Sequence, residues 1–101
     1  HWIASAVHVP GHVVVDAGAE KALRQGKSLL PAGVIAVEGD FARGDTIAVK
    51  NAHGQVLAKG ISSYSAAEAA QIRGQHSAVV ESILGHAHRA TLIHRDDLAM
   101  L

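Results

Sequence analysis

The 101-residue chain is long enough for one domain that buries roughly 65% of the surface its unfolded form exposes, and too short for two. Hydrophobic residues make up 49% and charged residues 18%, a balance that excludes intrinsic disorder, and the absence of cysteine excludes disulfides and thiolate metal sites. Nine Lys and Arg against nine Asp and Glu give a formal net charge of zero, which argues against a dedicated nucleic-acid binder while leaving room for a local basic patch.

A single Trp, Tyr and Phe predict an aliphatic core. The longest apolar runs, Val13-Val14-Val15 and residues 33–37, fall far short of the ~20 residues a membrane span needs. The opening His1-Trp2-Ile3-Ala4 has no charged segment leading into an apolar one, so it is not a signal peptide. It reads as the point where an upstream domain was left off, and the lack of cysteine suits a cytoplasmic protein.

In chain order, Gly11-His-Val-Val-Val-Asp16 reads as a turn glycine entering a β-branched strand. Asp16 then caps a helix over 17–25, with Ala19, Ala22 and Leu23 on one face and Gly26 as its stop. Pro31 breaks any helix in the connection that follows, and residues 34–38 form a second strand. After a loop over 39–45 with two glycines come strands over 46–50 and 56–62, joined as a hairpin by Asn51-Ala-His-Gly54.

Ser65-Ala-Ala-Glu68 is a capping box for a helix reaching about Arg73 and stopping at Gly74. Another helix starts at Ser77, with Val79, Val80, Ile83 and Leu84 apolar and Gly85 at its end. Residues 91–94 and 98–101 read as two short strands around an Arg95-Asp96-Asp97 turn. Strand and helix do not alternate regularly, which argues against a doubly wound parallel sheet and for a small mixed barrel.

Motifs of independent chemistry are missing. His94-Arg95-Asp96 looks like a kinase catalytic loop but lacks the Leu and Asn that follow it there, and the Gly-rich loop and strand Lys that precede it. His86-x-His88 offers two imidazoles to a metal with no supporting spacing elsewhere. Ser62-Ser63-Tyr64-Ser65 carries hydroxyls without a nucleophile elbow, and no phosphate-cradling glycine loop is present. Lys21, Arg24 and Lys27, with no acid between them, are the one charge feature above background. Cations at a helix end also answer to the macrodipole alone. Trp2, Phe41 and Tyr64 are too scattered for a base-stacking platform.

The run Asp16-Ala-Gly-Ala19, Ala22-Leu23, Gly26-Lys-Ser-Leu-Leu-Pro-Ala-Gly-Val34 and Val37-x-Gly-x-Phe41-x-x-Gly-Asp45 closely resembles the C-terminal PUA domain of glutamate 5-kinases. So do Gly54, Ala58-x-Gly60, Tyr64-Ser65, Ile72-x-Gly-x-His-Ser77, Ile83-Leu84-Gly85 and His94-Arg-Asp96, and the likeness covers nearly the whole chain. It departs from the family at Asp97, often Asn there, and in residues 86–90, which lack an aromatic.

The resemblance implies one domain over 1–101, mainly β with short helices, folded as a PUA-type pseudo-barrel of mixed strands. It implies a cytosolic parent enzyme, oligomeric and inhibited by proline, that phosphorylates glutamate with ATP and magnesium in an N-terminal amino-acid-kinase domain. Catalytic residues, cofactors and metals are then not expected within these residues. PUA relatives bind RNA near the first helix and the strand after it, a region that here holds Lys21, Arg24, Lys27, Leu30, Pro31 and Gly33. Two roles follow: a regulatory or architectural appendage of the kinase domain, favoured by the neutral charge, and a weak RNA-binding module working through that basic patch.

Overall fold

The computed structural model describes residues 9–84 and 91–101. β1 (Gly11–Val15) alternates as a half-buried strand must: Gly11, Val13 and Val15 are buried, while His12 and Val14 are only partly covered. The strand stops one residue before Asp16 because that side chain turns to cap α1 (Ala17–Arg24), its Oδ1 accepting from the Ala19 N–H at 2.7 Å. The helix closes as expected at Gly26, where φ is +81°. The Gly26 N–H donates to Leu23 O and the Lys27 N–H to Ala22 O, so the last carbonyls of the helix are satisfied.

Pro31 opens a single 3₁₀ turn, Pro31–Gly33, which leads directly into β2 (Val34–Gly39). β3 (Thr46–Lys50) and β4 (Val56–Ile61) form the predicted hairpin. In its loop the Asn51 Oδ1 accepts from the His53 and Gln55 N–H groups, each at 3.0 Å, and Gly54 sits at φ +83°. β4 ends at Ile61 rather than Ser62 because Ser62 folds back, its hydroxyl donating to Tyr64 O at 2.6 Å. The capping box forms in full at the start of α2 (Ala66–Ile72), and α3 (Ser77–Leu84) follows. β5 (Leu98–Met100) closes the chain after a 3₁₀ turn over Arg95–Asp97.

The five strands make one mixed sheet in the order β2-β1-β3-β4-β5. β1 runs antiparallel to β2 and parallel to β3, so the chain crosses over through α1 and β2 before returning to the middle of the sheet. The remaining neighbours pair antiparallel. Val13, Val15, Ile47, Val49 and Leu57 form one wall of the core, closed by Leu23 from α1, Ala69 and Ile72 from α2, and Val80 from α3. The core is aliphatic apart from buried Phe41 and Tyr64.

One expected strand is absent. Residues 91–94 do not extend into a ladder; Ile93 makes a single bridge to Leu29. The partner segment explains this, since Pro31 lies two residues beyond Leu29, has no N–H to donate and begins a 3₁₀ turn. The bridge has its own consequence. Leu29 precedes one edge strand, β2, and Ile93 precedes the other, β5, so their pairing draws the open sheet towards a barrel.

Candidate functional site

A groove of about 420 Å³ lies between α1 and the segment running from Lys27 to Gly33. Both walls are dictated locally. The Asp16 N–H donates to Gly33 O at 3.0 Å, which pins the start of α1 to the end of the 3₁₀ turn. Gly33 is required there for space: a Cβ would fall 2.5 Å from the Ala19 Cβ. Behind the groove, Leu29 bonds Leu92 and Ile93, and the Arg95 N–H donates to Ser28 Oγ at 2.8 Å. From the other side the Gly74 N–H donates to Pro31 O at 2.8 Å, and Arg73 Nη1 donates to Ile35 O at 2.9 Å. Three separate stretches of chain thus hold the groove's outer wall in place.

Ala19, Ala22, Leu29, Leu30 and Ala32 make the lining largely apolar, with Asp16, Lys27 and Ser28 as its polar members. Asp16 precedes the helix and Lys27 follows it. At 1.5 Å per residue they are separated by roughly 12 Å of helix, so the groove is negative at one end and positive at the other. The Asp16 carboxylate also caps the helix start, so the positive end of the helix dipole is already answered by an internal anion. Such a slot suits a flat, mostly apolar group with a cation to one side.

The six residues singled out from the sequence divide here. Lys27, Leu30 and Gly33 line the groove, and Leu30 is exposed. Pro31 is buried and contributes through its carbonyl, whereas Lys21 and Arg24 are exposed and do not line the groove. Arg24 is not a free cation either: its Nη2 lies 3.0 Å from Glu20 Oε2 across one helical turn. Glu20 lies outside the run from Lys21 to Lys27 but four residues before Arg24, the spacing that places an acid beside a cation on one helical face. Asp16, Ala19, Ala22, Ser28 and Ala32 line the groove as well, and the three-residue spacing of Asp16, Ala19 and Ala22 is the mark of that face in the sequence.

His94, Arg95 and Asp96 form the turn before β5: the Asp96 N–H donates to His94 Nδ1 at 3.1 Å. His86 and His88 lie outside the described residues, as does Trp2. Among the described residues no group of three His, Asp or Glu is placed to hold a metal, and no helix is long and apolar enough to cross a membrane.

A family model described as PUA domain matches residues 11–84. A curated glutamate 5-kinase from Sinorhizobium fredii is 54% identical over 99 residues, covering 98% of this chain and 25% of the relative. The chain therefore spans about a quarter of the length of the curated relatives it matches. Among solved structures, a PUA domain from Aeropyrum pernix superposes with a TM-score of 0.63 at 26% identity, over 89% of this chain and 46% of that one. The archaeal box H/ACA sRNP Nop10–Cbf5 complex contains a chain that matches with a TM-score of 0.60 at 20% identity, covering 88% of this chain and 26% of that one. That last likeness is one of fold.

Proposed function

The chain belongs to the PUA domain family, and from that premise we propose that it is the non-catalytic appendage of a glutamate 5-kinase, tuning or bracing a kinase domain elsewhere in the same protein. The observation that carries this reading is the alignment of 98% of the chain with one quarter of the kinase. On this reading the ATP, magnesium and glutamate sites belong to the rest of the enzyme, which works in the cytoplasm as an oligomer. The neutral charge and the internally answered Asp16 and Arg24 suit an appendage.

The test is deletion of the domain from the whole enzyme. Proline sensitivity, cooperativity or oligomeric state is expected to change while turnover persists. If all three stay as they were, the reading fails.

A second reading, favoured by the groove, is RNA binding: a base lies against Leu30 and the small residues of α1 while Lys27 meets a phosphate. PUA relatives lend it support, and the neutral net charge ranks it second. Titration against structured RNA from low to physiological salt tests it. Binding that survives physiological salt and disappears when Lys21, Arg24 and Lys27 are all changed to Glu establishes it; binding abolished by modest salt removes it.

A further inference from the structure

The outer face of the sheet carries a cationic cluster that the groove does not use. Strand register places Glu38, His12, Ala48 and Lys59 in one row across β2, β1, β3 and β4. Lys50 stands two residues beyond Ala48 on β3 and so shares that face. His12, Lys50 and Lys59 therefore surround Ala48, one on each flanking strand and one along its own. Ala48 and Lys59 are directly opposed across the antiparallel β3–β4 pair, where Cβ atoms lie about 5 Å apart. His12 and Lys59 flank β3 at two strand spacings, roughly 10 Å, a gap their side chains close.

We propose that His12, Lys50 and Lys59 form an oxyanion site on this face, fitted to a phosphate group that is either free or part of a nucleic-acid backbone. Ala48 is the floor. It is only 4% exposed despite lying on the outer face, as expected beneath three longer neighbours whose stems lie over it. Because the alanine ends at its methyl group, the longer side chains around it can bring two ammonium groups and an imidazole together over the covered floor.

Among the described residues the two lysines have no ion-pair partner. Ion pairs among the described residues join Arg24 to Glu20, Arg43 to Glu68 and His94 to Asp96; neither Lys50 nor Lys59 takes part. Like charges on neighbouring strands disfavour one another, so two ammonium groups beside one alanine, joined by an imidazolium when His12 is protonated, are a cost that a bound anion relieves. Glu38 is the one carboxylate in the row, and it stands on the far side of His12 from both lysines. Its pull on the imidazole is outweighed, because burial and Lys50 hold the His12 pKa below 6.5. An anion seated among the three reverses that balance by favouring the imidazolium.

Lysine suits this ligand. Its compact ammonium acts as a point charge and carries three donors, a match for the radially disposed oxygens of phosphate. The site is separate from the groove, and either one can fail without the other.

The test follows the His12 imidazole by NMR while pH is varied, with inorganic phosphate, acetate or a short single-stranded RNA added at constant ionic strength. Phosphate is expected to raise the His12 midpoint by about half a unit, equivalent to about threefold tighter binding to the protonated form, while His53 and His76 stay still. A rise with inorganic phosphate identifies a free-phosphate site. A rise with RNA alone identifies a backbone site. The paired change Lys50→Gln, Lys59→Gln should abolish the rise; Lys50→Arg, which keeps the charge, and Lys27→Gln, which alters only the groove, should both preserve it. An equal rise with acetate, a rise shared by all the histidines, no rise with either phosphate source, or a rise that survives the paired glutamines overturns the proposal.

Discussion

Glu68 holds Arg43 with the same carboxylate that closes its own helix: Oε1 accepts from Arg43 Nε at 2.8 Å and from the Ser65 N–H at 3.0 Å. Oε2 meets Arg43 Nη2 as well, making the contact bidentate. The loop before β3 is thereby fastened to the start of α2, next to the Ala66 N–H that donates to Phe41 O at 2.8 Å.

This arrangement sets an acid limit. The hydrogen bond from Arg43, helped by that from the Ser65 backbone and opposed by burial, lowers the Glu68 pKa from 4.5 to about 2. A carboxylate whose pKa is depressed by folding adds stability above its unfolded value and loses it as the pH falls through its folded one. The urea midpoint should therefore fall between pH 4.5 and about 2, and Glu68→Gln should flatten that part of the profile. An unchanged acid profile in the variant would remove the assignment.

Ser65 supplies the other half of the box, accepting from the Glu68 N–H at 3.2 Å. Ser65→Ala should cost about 1 kcal/mol, seen as a drop of roughly 4–8 °C in melting temperature for a domain of this size. Ser65→Thr should retain most of the lost stability, which a purely volumetric explanation would not predict.

Gly33 tests the packing of α1. Gly33→Ala places a methyl against Ala19 and should destabilise by about 1–3 kcal/mol. Combining it with Ala19→Gly restores the space, so the double variant should lose less than the sum of the two single changes. Simple additivity in denaturant unfolding would show that the contact between these positions is not the cause.

His12 gives a pH dependence near neutrality. Burial first, then Lys50, lowers its pKa from 6.5, with Glu38 acting in the opposite direction. The unfolded chain then binds the proton more readily than the folded one. Stability from this group is present above pH 6.5 and declines as the pH falls below it. His12→Gln should remove that slope, and Lys50→Gln should reduce it by raising the folded pKa. A steeper slope in Lys50→Gln would contradict the charge argument.

If the groove takes RNA, Lys27 and Arg24 should behave differently although both sit at the end of α1. Lys27→Gln should lower the magnitude of the salt slope by about 1, the signature of one lost phosphate contact. Arg24→Gln should leave it little changed, because Glu20 already occupies that guanidinium. Equal effects would show that the groove is not where the strand lies.

Local chemistry explains which parts of the fold were legible beforehand. Asp16, Gly26, Pro31 and the Ser65–Glu68 box each act within a few residues, so sequence alone located both ends of α1 and the start of α2. The β3–β4 hairpin was readable for the same reason. The parallel pairing of β1 with β3 was not, since nothing in either strand records its partner. Arg43 and Glu68 lie 25 residues apart, and the gathering of His12, Lys50 and Lys59 around Ala48 depends on register across three strands. Of the groove's lining, Lys27 was marked by its place in the basic triplet, whereas Leu30 and Gly33 were marked only by the resemblance to PUA relatives. Lys21 and Arg24 were read from spacing alone, which gives a helical face but not what that face looks onto.

The bridge between Leu29 and Ile93 bears on how the molecule is made. Translation delivers Leu29 long before Ile93, so the groove's rear wall stays unpaired while the first four strands are already outside the ribosome. A nascent chain halted short of Leu92 and Ile93 leaves Leu29, 1% exposed in the folded domain, without the three backbone bonds those residues supply.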